Sequence, residues 1–278
     1  MKYFFSFFIV ISPFFLFSKT ISFSEALEAG WIKTEVNGMG GHTGKCLKVK
    51  VINLYKKKWT LAIPAGLIFY SRDTSIQDLM ITQSREVAME KMQNRTLRLF
   101  ANCIQASNGS PGEGRVFLPG KQAEGKLARL AAYLDEQRIV EDPAQYAIWA
   151  VTDGKSIANI DHPGLMAFTA ALLGEPLPGY TVVQGRRLPS EVQPAFQDQP
   201  SVIKGEFRYQ TDRDIQASFG LYDEKGERLH SLFEGKEQRR GHHRFKFYFE
   251  VDKLPSGNYF ARLTDENGET IDQLEVMF

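Results

Sequence analysis

Two stretches of period-two hydrophobicity, separated by a helical block and a proline-dense segment, predict a mainly β chain with appended helices. That is an α+β fold made of two β-sandwich bodies. The first stretch starts at Cys46, where Leu47, Val49 and Val51 alternate with Lys48 and Lys50. The second fills residues 201–278, where Ile215, Ala217, Phe219 and Leu221 share one face and Phe245, Phe247, Phe249 and Val251 share another.

The chain opens with Met1 and Lys2, then an apolar run from Tyr3 to Phe17 that holds seven of its 21 phenylalanines. One basic residue before a short apolar core is the grammar of a signal peptide. Fifteen residues fall short of the roughly 20 that a spanning helix needs. Residues 1–18 are therefore expected to be cleaved after Ser18, giving a secreted, periplasmic or surface-displayed product. Residues 19–45, ending in Asn37-Gly38-Met39-Gly40-Gly41-His42-Thr43-Gly44, read as a flexible lead-in because so many glycines bury little.

Residues 46–173 are expected to form the first sandwich with two or three helices. Trp59, Leu61 and Ile63 alternate, Pro64-Ala65-Gly66 turns the chain, and Leu97, Leu99, Ala101 and Cys103 line one face of a further strand. Leu127, Leu130, Ala131 and Leu134 then fall on one helical face between Glu124 and Arg138. Asp142-Pro143 opens a second helix as N-cap and first-turn proline, and Gly154 closes it. Asp161 before Pro163 starts a third. Five of the 12 prolines lie within 174–200, which predicts an extended interdomain linker. Beyond it, Asp223-Glu224-Lys225-Gly226, Pro255-Ser256-Gly257 and Asp265-Glu266-Asn267-Gly268 punctuate short strands, as in an immunoglobulin-like sandwich.

Composition narrows the function classes. With 34 Lys and Arg against 33 Asp and Glu, the chain lacks the cationic surplus of a nucleic-acid binder. Two cysteines and five histidines leave little for a zinc site, and no metal or other cofactor is expected. Ser110 in Asn108-Gly109-Ser110-Pro111-Gly112 lacks the spacing of a hydrolase elbow. His242 and His243 are adjacent on a strand and point to opposite faces. A hydrolase of surface polymers is the weakest reading, since no acid/base pair is placed by motif.

Residues 201–278 resemble the C-terminal sorting domain of type IX secretion cargo, and more loosely other bacterial immunoglobulin-like modules. Leu221-Tyr222-Asp223-Glu224-Lys225-Gly226, Gly241-His242-His243 and Leu254-Pro255-Ser256-Gly257-Asn258-Tyr259-Phe260 carry the likeness. The resemblance implies a module that serves secretion or attachment, with the secretion machinery as a partner.

Ala144-Gln145-Tyr146-Ala147-Ile148-Trp149 is similar to the Gln-x-x-hydrophobic-Trp motif of thioester domains in bacterial surface adhesins, whose partner is a preceding Cys. The resemblance implies that Cys103 bonds the side-chain carbonyl of Gln145 with loss of ammonia, shielded by Trp149. A nucleophile on a host molecule then takes the acyl group. Two other readings of Cys103 stand beside this one: a buried core thiol, or a disulfide with Cys46 in an oxidising compartment. Strand parity opposes the disulfide, placing Cys46 on the wet face with Lys48 and Lys50. The expected function is a non-catalytic surface or extracellular recognition module for a protein or glycan ligand, with covalent adhesion through Cys103 and Gln145 as the alternative.

Overall fold

The computed structural model describes residues 19–185, 190–196 and 198–278. The expected signal peptide lies outside the described residues. The fold is mainly β with four α-helices, and its strands form four sheets.

The lead-in is not featureless. It supplies β1 (Thr20–Ser22), α1 (Phe23–Glu28) and β2 (Ile32–Met39). Ser22 and Glu25 cap α1 reciprocally, and Phe23 and Ala26 bury its inner face. The expectation of a flexible 19–45 is thus corrected: Ile32 and Val36 are core residues, and the glycines gather in the loop that follows β2.

Then come β3 (Leu47–Asn53), β4 (Trp59–Ile63), β5 (Leu67–Ser71), β6 (Leu79–Ile81), β7 (Arg85–Met89), β8 (Asn94–Leu99), β9 (Ala101–Cys103) and β10 (Glu113–Gln122). β1, β4 and β7 form one sheet; the other runs β8-β3-β2-β10-β5-β6-β9. The two share a core that includes Val49, Leu61, Trp59, Phe69, Leu97 and Cys103. Only Phe100 separates β8 from β9, yet these strands occupy opposite ends of the seven-stranded order, so the sheet curls until its ends meet. The single strand expected through Leu97–Cys103 is in fact two, broken where the chain turns this corner.

Helices α2 (Gly125–Gln137), α3 (Asp142–Asp153) and α4 (Pro163–Leu173), with a short 3-10 turn at Ile157–Asn159, cover the outer face of β5 and β6. Strand alternation divides the labour there. Leu67, Phe69, Leu79 and Ile81 enter the sandwich core, while Ile68 and Met80 enter the helical core beside Leu130, Ala147 and Leu165. Burial on both faces explains the unbroken apolar runs of these strands. Asp142 is the first residue of α3 rather than its cap; Glu141 holds the cap position without a side-chain bond, and Gly154 closes the helix at φ 64°.

The second body comprises β11 (Tyr180–Gln184), β12 (Pro200–Thr211), β13 (Ile215–Tyr222), β14 (Arg228–Gln238), β15 (Gly241–Glu250), β16 (Asn258–Thr264) and β17 (Thr270–Met277). A three-stranded sheet, β11-β12-β15, faces a four-stranded one, β14-β13-β16-β17, across a core centred on Phe219. The linker 174–200 is not a free tether: β11 lies inside it and pairs with β12, and residues 190–196 bond the first body. Ala158, from the 3-10 turn, is buried in the second core, and Asp161 pairs with Lys204 at 2.8 Å. Among the described residues, no helix is long and apolar enough to cross a membrane.

Candidate functional site

Two elements converge on β9. Helix α3 brings Gln145, Tyr146 and Trp149; the loop between β2 and β3 brings His42 and Thr43; β9 itself carries Asn102 and Cys103. The small residues Ala144, Ala147 and Ala150 let α3 lie close to its neighbours, which buries the helix nearly all round. Gln145 and Trp149, one turn apart, point to the β9 side.

Gln145, Cys103 and Trp149, singled out from sequence, meet. The Cys103 backbone N–H donates to Gln145 Oε1 at 3.0 Å, and Gln145 Nε2 donates to the Cys103 carbonyl at 2.7 Å. Asn102 Nδ2 adds a third bond to Gln145 Oε1 at 3.3 Å. The carboxamide, 1% exposed, thus seals the free edge of β9 as a neighbouring strand would. The same Cys103 N–H approaches the His42 carbonyl at 3.1 Å, and Ala101 N–H donates to the Gly44 carbonyl at 2.9 Å.

Alternation sets the direction of the thiol. Asn102 pairs with Met80 and lies on the helix face, bonded to Thr43 and Thr82. Ala101 and Cys103 lie on the sandwich-core face. Gln145 therefore contacts Cys103 through its main chain, while the sulfur lies on the sandwich-core face of β9.

Cys46 and Cys103 are both free thiols, so the alternative disulfide is not formed. Cys46 is not on the wet face expected from strand parity, because it precedes β3 instead of belonging to it. It is 1% exposed, and its thiol donates to the Ala101 carbonyl at 3.1 Å. Burial pushes the Cys46 thiol up to about 12. Complete burial, with Cys46 and Asp78 nearby, raises Cys103 well above the usual thiol range. Such a thiol is a poor turnover nucleophile, but a single intramolecular reaction tolerates a small thiolate fraction when the electrophile is held alongside.

Above this cluster opens a cleft of about 730 Å³ between the start of α3, the 3-10 turn, β11 and residues 195–196. Trp149 forms its floor, meeting Phe196 edge-on at 5.7 Å and Tyr146 at 5.8 Å. Its indole donates to Gln77 Oε1 at 3.4 Å. Glu141, Asp142 and Asp161 line the rim. Burial, with Asp142 and Asp198 adding to it, pushes the Tyr146 hydroxyl up to about 12.

Sequence reasoning missed His42 and Asn102. His42 stacks near Trp149, ring centroids 6.0 Å apart, and faces the same cleft. Its signal was present: one imidazole among glycines has no packing reason to be there. Among the described residues, no group of three or more His, Cys, Asp or Glu could hold a metal ion. No family model matches this chain, and no curated protein matches it.

Proposed function

We propose that this is an exported attachment protein that binds its partner at the α3 cleft and fastens to it through an acyl bond between Cys103 and Gln145. The observation that carries this reading is the contact itself. The Gln145 carboxamide and the Cys103 main chain, 42 residues apart, share two bonds of 3.0 and 2.7 Å in a buried site under an open cleft. Bond formation requires the carboxamide to leave the Cys103 main chain and turn its carbonyl carbon to the sulfur. The thiolate adds, the C–N bond breaks, and ammonia departs with the thiol proton. Trp149 and Phe196 keep water from the product. The second body then serves secretion or attachment, with the secretion machinery or the cell surface as its partner.

A second reading, non-covalent recognition of a protein or glycan ligand in the same cleft, is favoured by one observation. All three bonds of Gln145 go to main chain and Asn102, which is a complete structural role without any chemistry.

Intact mass of the secreted chain under non-reducing conditions separates these readings. The acyl bond removes about 17 Da and a disulfide about 2 Da. An unshifted mass with two alkylatable thiols after unfolding overturns covalent attachment and leaves non-covalent recognition.

A further inference from the structure

We infer that His42 is the base that takes a proton from the nucleophile opening the Cys103–Gln145 acyl bond, an assignment that rests on the covalent reading above. Three observations lead to it. Its Nδ1 is buried and has no hydrogen-bond partner, unlike nearly every other buried polar side-chain atom described. A native structure rarely leaves such an atom unpaired without a use for it. His42 also lines the cleft with Gln145 and Trp149, which sets the imidazole and the Gln145 side chain on one line of approach. Finally, its own carbonyl approaches the Cys103 N–H at 3.1 Å, which ties the position of the loop to β9.

The surroundings suit a base. Desolvation lowers the His42 pKa from its ordinary value, against a smaller opposing effect from Asp142, and so keeps the ring neutral at neutral pH. The titratable groups around it are Glu141 at the cap of α3, Asp142 and Tyr146 on that helix and Asp161 after the 3-10 turn, all lining the same cleft, with Lys45 on its own loop. Three of those are carboxylates at the cleft rim, which attract an alkylammonium ion.

The step balances as follows. The ammonium loses one proton to solvent, and the free amine adds its lone pair to the Gln145 acyl carbon while His42 accepts a second proton. The C–S bond breaks with its electron pair on sulfur. The imidazolium returns its proton to Cys103, leaving an amide, a free thiol and neutral imidazole.

Methylamine is the probe, and the readout is the rate of its mass addition to the intact full chain across pH. Wild-type protein is expected to show opening that rises with pH along a limb below the ordinary histidine range. His42→Gln is expected to keep the ammonia-loss mass but to open about a hundredfold more slowly, without that limb. Opening at the wild-type rate and profile overturns the His42 assignment and leaves the acyl bond standing. Wild-type protein without the mass loss overturns the acyl bond, and the assignment falls with it. Should His42→Gln lose the mass shift, Asp142→Asn decides. Removing the carboxylate that raises the His42 pKa moves the limb to lower pH, and an unmoved limb overturns the assignment.

Discussion

Arg115 of β10 forks onto Glu191, Nε to Oε1 at 2.9 Å and Nη2 to Oε2 at 2.6 Å, across 76 residues of sequence. This pair fastens part of the segment expected to be an extended linker between two bodies. Around it, Ser110 N–H donates to the Ser190 carbonyl, and Ala195 and Phe196 N–H donate to the carbonyls of Asn108 and Ala106. Phe196 is thereby held against Trp149, so the fastening also builds one wall of the cleft.

Arg115 holds the Glu191 carboxyl below its usual range, chiefly by hydrogen bonding. A carboxylate with a depressed folded pKa contributes its stabilisation above its unfolded pKa and loses it as pH falls through the folded one. Limited proteolysis of residues 190–196 is therefore expected to be slow at pH 7 and to accelerate in acid, beginning below the ordinary carboxylate range. Glu191→Gln should give the acid-like cleavage rate at pH 7. Equal rates for wild type and variant across pH would show that the fork does not hold the segment.

Gly109 tests the same docking sterically. A Cβ there would meet the Glu191 carbonyl oxygen at 2.1 Å, a main-chain atom that cannot rotate away. Gly109→Ala is expected to cost about 1–3 kcal/mol in chemical denaturation, as overpacking does. It should also expose the 190–196 segment to protease at neutral pH.

Phe219 sits at the centre of the second core, with the rings of Phe207, Phe233, Phe245, Phe247 and Phe249 all within 6.0 Å of its centroid. Phe219→Ala is expected to destabilise that body by about 3–5 kcal/mol. Because Ala158 and Asp161 of the first body engage the second, its melting should lower the protection of the 3-10 turn in hydrogen exchange. Unchanged protection there would mean that the two bodies unfold independently.

Legibility in the sequence followed burial. β3 and β4 alternate because one face is wet, and Gly154 marks a helix end because its φ is positive. β14 was invisible because none of its residues is buried, so it has no hydrophobic period to read. β11 hid between prolines that flank a strand without entering it. The break at Phe100 left no trace, since parity carries through the corner and Leu97, Leu99, Ala101 and Cys103 are all buried. In the site, Gln145 and Trp149 were legible as a motif. Asn102 was not, because its partner lies across the fold, 43 residues away for the Asn102–Gln145 bond.

Thiol reactivity is the last expectation, and it bears on both readings of Cys103. A shift of the Cys46 thiol from 9.0 to about 12 lowers its thiolate fraction near neutral pH about a thousandfold. Burial denies reagents access as well, so a chromogenic disulfide reagent should modify the native chain only as fast as the first body opens. Unfolding in denaturant should release Cys46 whatever has become of Cys103. One reactive thiol per chain then marks Cys103 as engaged, and its appearance after hydroxylamine treatment marks the engagement as an acyl bond. Two thiols at once mark both as buried core cysteines. Rapid modification of the native protein would contradict the placement of both thiols in the sandwich core.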